Sequence, residues 1–111
     1  MKTLLDLVTG PWTLHLIWLL MINGPMRFGL IRRSIEGISA RLLTVRLRAL
    51  EEGGLVKRSV KPSNPPEVTY SPTSRLYEMK GFLEQLHLLA IEWEKEDSRK
   101  QEESDGKQLV L

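Results

Sequence analysis

Arg41, Thr44, Val45 and Arg48 lie within eight residues of one another. At about 100° per residue of a helix they project to one side, with Arg46 on the flank. Guanidinium groups beside a hydroxyl and branched methyls can take guanine edges, backbone phosphates and thymine methyls. Ordinary surface helices mix Glu with Lys. This stretch carries three arginines and no acid before Glu51, at its far end. A solvated cationic face without a partner is the plainer reading. The apolar tips between the arginines make it the less attractive one.

The element that must hold these side chains is a helix over 39–53. Ser39 is a suitable N-cap, because its hydroxyl can accept from a free backbone N–H two or three residues on. Leu43, Leu47 and Leu50 recur at i, i+4, i+7 and share a buried face. Gly53 and Gly54 supply the left-handed stop. Before this helix, Phe28, Ile31 and Ile35 have helical spacing with Arg32 and Arg33 outside, and Glu36-Gly37 turns the chain. Two short helices joined by a tight glycine turn fit helix-turn-helix geometry. Ser39 therefore doubles as a candidate phosphate ligand, since a helix N-terminus attracts anions.

After the glycine stop, 55–60 and 67–71 read as strands, with Val56, Val60, Val68 and Tyr70 at β-favouring positions. Between them KPSNPP holds three prolines and cannot continue a ladder. The pair predicts a β-hairpin wing over 55–71 carrying Lys57, Arg58 and Lys61. Met26-Arg27-Phe28 reads as a very short strand. Arg27, Arg32, Arg33, Arg46, Lys57, Arg58 and Lys61 are the phosphate candidates; Arg41, Thr44, Val45 and Arg48 are the base-edge candidates.

The ends of the chain are more apolar. Residues 1–9 read as a short lead-in helix. A helix over 11–23 is apolar nearly all round, more than a small domain buries inside one subunit. A helix from 73 to about 97 places Leu76, Met79, Leu83, Leu86, Ala90 and Trp93 at alternating steps of three and four. A second copy of the chain is the simplest cover, through Leu5, Trp12, Leu16, Leu19, Leu20, Leu83, Leu86, Leu89, Ala90 and Trp93. Packing inside a single subunit is the alternative. Residues 98–111 are polar and read as a disordered tail.

The fold expected is mainly α with a small β-hairpin wing (α+β), a winged helix-turn-helix whose N- and C-terminal helices pair subunits. Residues 1–97 form one DNA-binding and dimerisation domain, and 111 residues suit that count. Net charge is only +2, yet 27–62 holds nine basic and three acidic residues, giving +6 against −4 elsewhere. A local basic surface of that kind is the footprint of a nucleic-acid binder.

Other functions find little support. There is no cysteine, which removes disulfides, thiolate metal sites and thiol sensing. His15 and His87 have no ligand at i+3 or i+4, so no metal is expected, nor any cofactor. No nucleophile–base pairing or glycine-rich phosphate loop after a strand suggests an enzyme. The longest apolar run, 16–22, is far short of the ~20 residues needed to span a bilayer. With no secretory signal, the expectation is a cytoplasmic protein without a membrane partner. Trp18, Met21, Met79 and Phe82 make a small apolar effector conceivable. A protein–protein module and a non-specific DNA-coating protein are the remaining alternatives.

In their order these elements make the chain resemble the HxlR-type winged-helix transcriptional regulators from about residue 10 to 93. The shared pattern is Gly10 and Trp12-Thr13-Leu14, then Gly24-Pro25-Met26-Arg27-Phe28, then Gly37-Ile38-Ser39 with Leu43-Thr44 and Arg46-Leu47. The LEEGGLV segment from Leu50 to Val56, the run Pro65-Pro66-Glu67-Val68-Thr69-Tyr70-Ser71, and Trp93 complete it. The resemblance implies a homodimer on operator DNA. The helix starting near Ser39 enters the major groove, the wing grips the flanking backbone, and the first and last helices pair the subunits. Three departures stand out. The N-terminal sensing cysteine of many members is absent. Pro72 is expected to end the second wing strand early and to alter the start of the last helix. Ala40 is less polar than usual and bears on which bases are read.

Overall fold

The computed structural model describes residues 4–109. The chain runs α1 (Leu4–Val8), α2 (Thr13–Asn23), β1 (Met26–Arg27), α3 (Phe28–Ser34), α4 (Ala40–Glu52), β2 (Val56–Lys61), β3 (Glu67–Pro72), α5 (Ser74–Tyr77) and α6 (Lys80–Leu109). It divides after Lys80 into two compact units. That boundary lies well before the 97/98 limit expected for a single domain. Residues 1–3 of the lead-in and 110–111 of the tail lie outside the described residues.

In the first unit, Leu16, Ile17 and Leu20 of α2, Ile31 of α3, Leu43, Leu47 and Leu50 of α4, and Leu76 of α5 are fully buried. Each such side chain is worth about 1.5–3 kcal/mol over leaving it in water. The three α4 leucines occupy the face their spacing predicted. α3 and α4, joined through 35–39, form the helix-turn-helix.

Three strands make an antiparallel sheet in the order β1-β3-β2. Met26 pairs with Tyr70 and Arg27 with Thr69, while β2 runs against β3 from Val56↔Pro72 to Lys61↔Glu67. Met26, Val56 and Tyr70 are buried, so their face of the sheet closes the core.

Of the two glycines expected to stop α4, only Gly54 is left-handed, Gly53 keeping a right-handed conformation at φ −77°. The Leu55 N–H donates to Leu50 O at 2.9 Å and the Gly54 N–H to Glu51 O at 3.0 Å, with Gly54 at φ +77°. This is the Schellman closure, completed by the buried pair Leu50 and Leu55. Thr73 then fastens the far strand to it, donating from Oγ1 to Gly54 O at 2.6 Å.

Several expectations are corrected. Pro72 does not end the wing strand early. β3 includes it, paired with Val56, because β1 reaches only Thr69 and Tyr70 and leaves the other edge of β3 open at Pro72. The long helix from 73 is broken: Thr73 caps the four-residue α5, and α6 starts anew at Lys80. α2 begins at Thr13, because Trp12 before it takes the left-handed conformation at φ +70°. The polar tail is helical as far as Leu109. Straight-chain residues of high helix propensity suit it, Arg99 Nε donates to Lys95 O at 3.5 Å and Gln101 Nε2 to Asp105 Oδ1 at 3.3 Å.

Leu16 and Leu20, expected at a dimer interface, have 0% exposure within the first unit. They have no surface left for a second copy. On α6, considered alone, Phe82, Leu86, Leu89 and Trp93 recur at i, i+4, i+7, i+11 and remain 40–59% exposed. Leu5 and Trp12 are exposed on the first unit, Ala90 is exposed on α6, and Leu19 is half-buried.

Candidate nucleic-acid interface

α4 presents the base-edge candidates. The Ser39 hydroxyl accepts from the Leu42 N–H at 3.1 Å, so the cap is made as the sequence predicted. Its oxygen accepts that bond, while its own O–H and the remaining free N–H groups of the first turn can donate to a phosphate. Arg41, Val45 and Arg48 are exposed on the side opposite the leucines. Thr44 is half-buried, and its Oγ1 donates to Ala40 O at 2.8 Å. Its methyl group is the part left for an apolar contact.

Arg46 is placed differently from the other arginines of α4. It is half-buried, with its guanidinium over the backbone of Gly10 and its Nε buried without a hydrogen-bond partner. The helical wheel had it only on the flank. Arg32 and Arg33 are exposed in the last turn of α3, where cations suit the helix dipole.

The wing separates its cations. Side chains alternate along a strand, so Arg58 shares the face of Val56 and Tyr70, while Lys57 and Lys61 project from the other. All three are exposed. Arg58 thus turns toward α4. Together with Thr44, Arg48 and Glu51 of α4 and Arg27 at the foot of α3 it lines a cleft of about 850 Å³. The proline-containing loop between β2 and β3 closes the far side.

Two acids line this cleft, Glu51 and Glu67, neither of which the sequence reading placed in the site. Glu67 accepts from Arg27 Nη2 at 3.0 Å, an ion pair linking β1 to β3. A signal for Glu67 was present, since it is the one acid between 55 and 72. What the sequence lacked was the register that brings residue 27 beside residue 67.

Among the described residues no group of three or more His, Asp or Glu stands close enough to hold a metal ion. No helix among them is long and apolar enough to cross a membrane.

Comparison with known proteins agrees with this geometry. The model of the HxlR-like helix-turn-helix family matches residues 7–98. An uncharacterized HTH-type transcriptional regulator of Synechocystis is 36% identical over 93 residues, covering 84% of this chain and 68% of that protein. The uncharacterized HTH-type transcriptional regulator YybR of Bacillus subtilis is 39% identical over 89 residues, covering 80% and 67%. Among solved structures, the reduced form of the transcriptional regulator YodB from B. subtilis superposes with a TM-score of 0.69 at 29% identity, covering 81% of this chain and 92% of that one.

Proposed function

The chain belongs to the HxlR-like helix-turn-helix family of DNA-binding transcription regulators, and from that premise we propose that it works as a homodimer on a pseudo-palindromic operator. In this reading α4 lies in the major groove, with Arg41, Thr44, Val45 and Arg48 at base edges. Lys57, Arg58 and Lys61 of the wing, with Arg32 and Arg33, contact backbone phosphates. The observation that carries it is the outer face of α4, where exposed Arg41, Val45 and Arg48 form a row with no acid before Glu51. Direct readout needs this combination of bidentate donors and an apolar tip.

The dimer rests on the exposed stripe Phe82, Leu86, Leu89 and Trp93. Four large apolar side chains in one row along a helix are costly to leave in water, and heptad-like spacing suits a second helix. A dimer sets two recognition helices about 34 Å apart, one turn of DNA. A small apolar effector belongs to the same reading on side-chain chemistry alone. A thermal-shift screen of aromatic compounds that never moves the Tm counts against it.

The test is selection of bound duplexes from a random pool at two salt concentrations. A two-fold-symmetric motif supports the reading. Salt-sensitive binding with no motif replaces it by sequence-independent DNA coating. No binding at low salt favours a protein-contact module.

A further inference from the structure

The wing carries a single acid, and that acid sits among cations. Across β2–β3 the register sets Lys61 directly opposite Glu67. On the other side Arg27 pairs with Thr69, one diagonal step away. The carboxylate goes to Arg27, with Oε2 3.0 Å from Nη2. The Arg27 side chain is 65% exposed and that of Glu67 32%, so the pair is formed at the cleft mouth within reach of a ligand. Arg48 and Arg58 line the same cleft, and among the described residues neither side chain forms an ion pair.

We propose that Glu67 is a built-in competitor of DNA phosphate for Arg27, and so sets how tightly the protein holds any duplex. This rests on the DNA-binding reading above. A carboxylate and a phosphodiester offer a guanidinium the same thing, anionic oxygens for charge-assisted N–H donation. Only one can occupy Nη2 along the line Glu67 now takes. Free protein holds Arg27 on Glu67. A duplex seated on α4 and the wing brings a backbone phosphate to the cleft mouth, Arg27 transfers to it, and Glu67 is released to solvent.

Because phosphate contacts are sequence-independent, every duplex must displace Glu67 before gaining this one. The exchange is made on operator and random DNA alike, so Glu67 lowers affinity for both by the same factor and leaves their ratio unchanged. An exposed ion pair is weak, which suits a contact that must exchange on every encounter.

The experiment measures affinity for a random duplex and for the selected operator, across a salt series, in wild type, Glu67→Gln, Arg27→Ala and the double variant. Glu67→Gln is expected to tighten random-duplex binding about two- to fivefold, the range of one exposed ion pair. Its plot of log affinity against log salt should steepen by less than the ~0.9 of one phosphate contact, because Arg27 meets the phosphate in both proteins and only the released carboxylate is removed. Affinity for the operator should rise by the same factor, leaving operator preference unchanged. In the Arg27→Ala background, Glu67→Gln should change neither quantity.

Unchanged or weaker random-duplex binding by Glu67→Gln overturns the proposal, and weaker binding would mean that Glu67 holds Arg27 in place for DNA. An equal gain in the Arg27→Ala background also overturns it, reducing Glu67 to a general negative charge. Wild-type protein that binds no duplex at low salt removes the DNA-binding reading itself. Circular dichroism of each variant checks that the fold is retained.

Discussion

The guanidinium of Arg46 lies across the backbone of Gly10, so close that a Cβ on residue 10 would fall 2.5 Å from its Nη1 and 2.7 Å from its Cζ. The same segment touches α4 elsewhere. A Cβ on Gly53, at the end of the helix, would fall 2.6 Å from Leu7 Cδ2, and one on Gly37, in the turn before it, 3.8 Å from the Trp12 ring. Residues 7 to 12 therefore meet α4 at its preceding turn, its middle and its end.

Gly10→Ala must displace the Arg46 guanidinium. Since that group is the end of a flexible side chain, the expected loss is near the lower limit of overpacking costs, about 1 kcal/mol. In an Arg46→Ala background the loss should shrink, giving a coupling of at least about 0.5 kcal/mol in urea unfolding. Additive losses would mean that the close approach has no energetic weight. Arg46→Met should be neutral or stabilising, because it removes the buried Nε that has no partner. It should also leave the salt dependence of DNA binding unchanged. A slope flatter by about 0.9 would instead return Arg46 to the phosphate contacts.

Gly54 and Gly81 test whether the backbone at the end of α4 is specified by its glycine. Gly54 stands at φ +77°, and its carbonyl receives the Thr73 hydroxyl. Gly54→Ala forces a side chain into the left-handed region and should cost about 1–2 kcal/mol, read as a drop in Tm of several degrees. Gly81 lies in α6 with nothing within 4 Å of an added Cβ. There alanine should stabilise by about 0.5–1 kcal/mol. Equal effects at the two positions would dismiss the closure of α4 as a stabilising device.

Local signals carried most of the fold. The Ser39 cap, the three leucines of α4, the double glycine and the β-branched strands each follow from residues within a few positions of one another. The structure reproduces them within one or two residues. The errors are of another kind. Whether Leu16 and Leu20 face the core or a partner depends on what packs on an all-apolar helix, and periodicity cannot choose between faces that are all hydrophobic. The fate of Pro72 depended on how far β1 extends along β3. The Arg27–Glu67 pair spans forty residues of sequence, and Arg58 parts from Lys57 and Lys61 only once the strand face is known. The site was thus legible as a set of residue types, while its division into faces required the register.

That division separates two kinds of contact. Arg41 and Arg48 lie on the outer face of α4, whereas Lys57 and Lys61 lie on the wing face turned away from the core. Arg41→Ala with Arg48→Ala should reduce preference for the selected operator by about 1–3 kcal/mol for each bidentate pair lost, with random-duplex binding falling less. Lys57→Ala with Lys61→Ala should weaken binding to all duplexes alike and flatten the salt plot by about 0.9 for each phosphate contact removed. Arg58, beside Arg48 in the cleft, should show coupling to Arg48 and little to Lys61, since residues sharing a site are non-additive and those on opposite faces are not. Competition binding with operator and random duplex measures all three. If the arginine pair merely flattens the salt plot and leaves the motif unchanged, α4 is a phosphate clamp and the bases are read elsewhere.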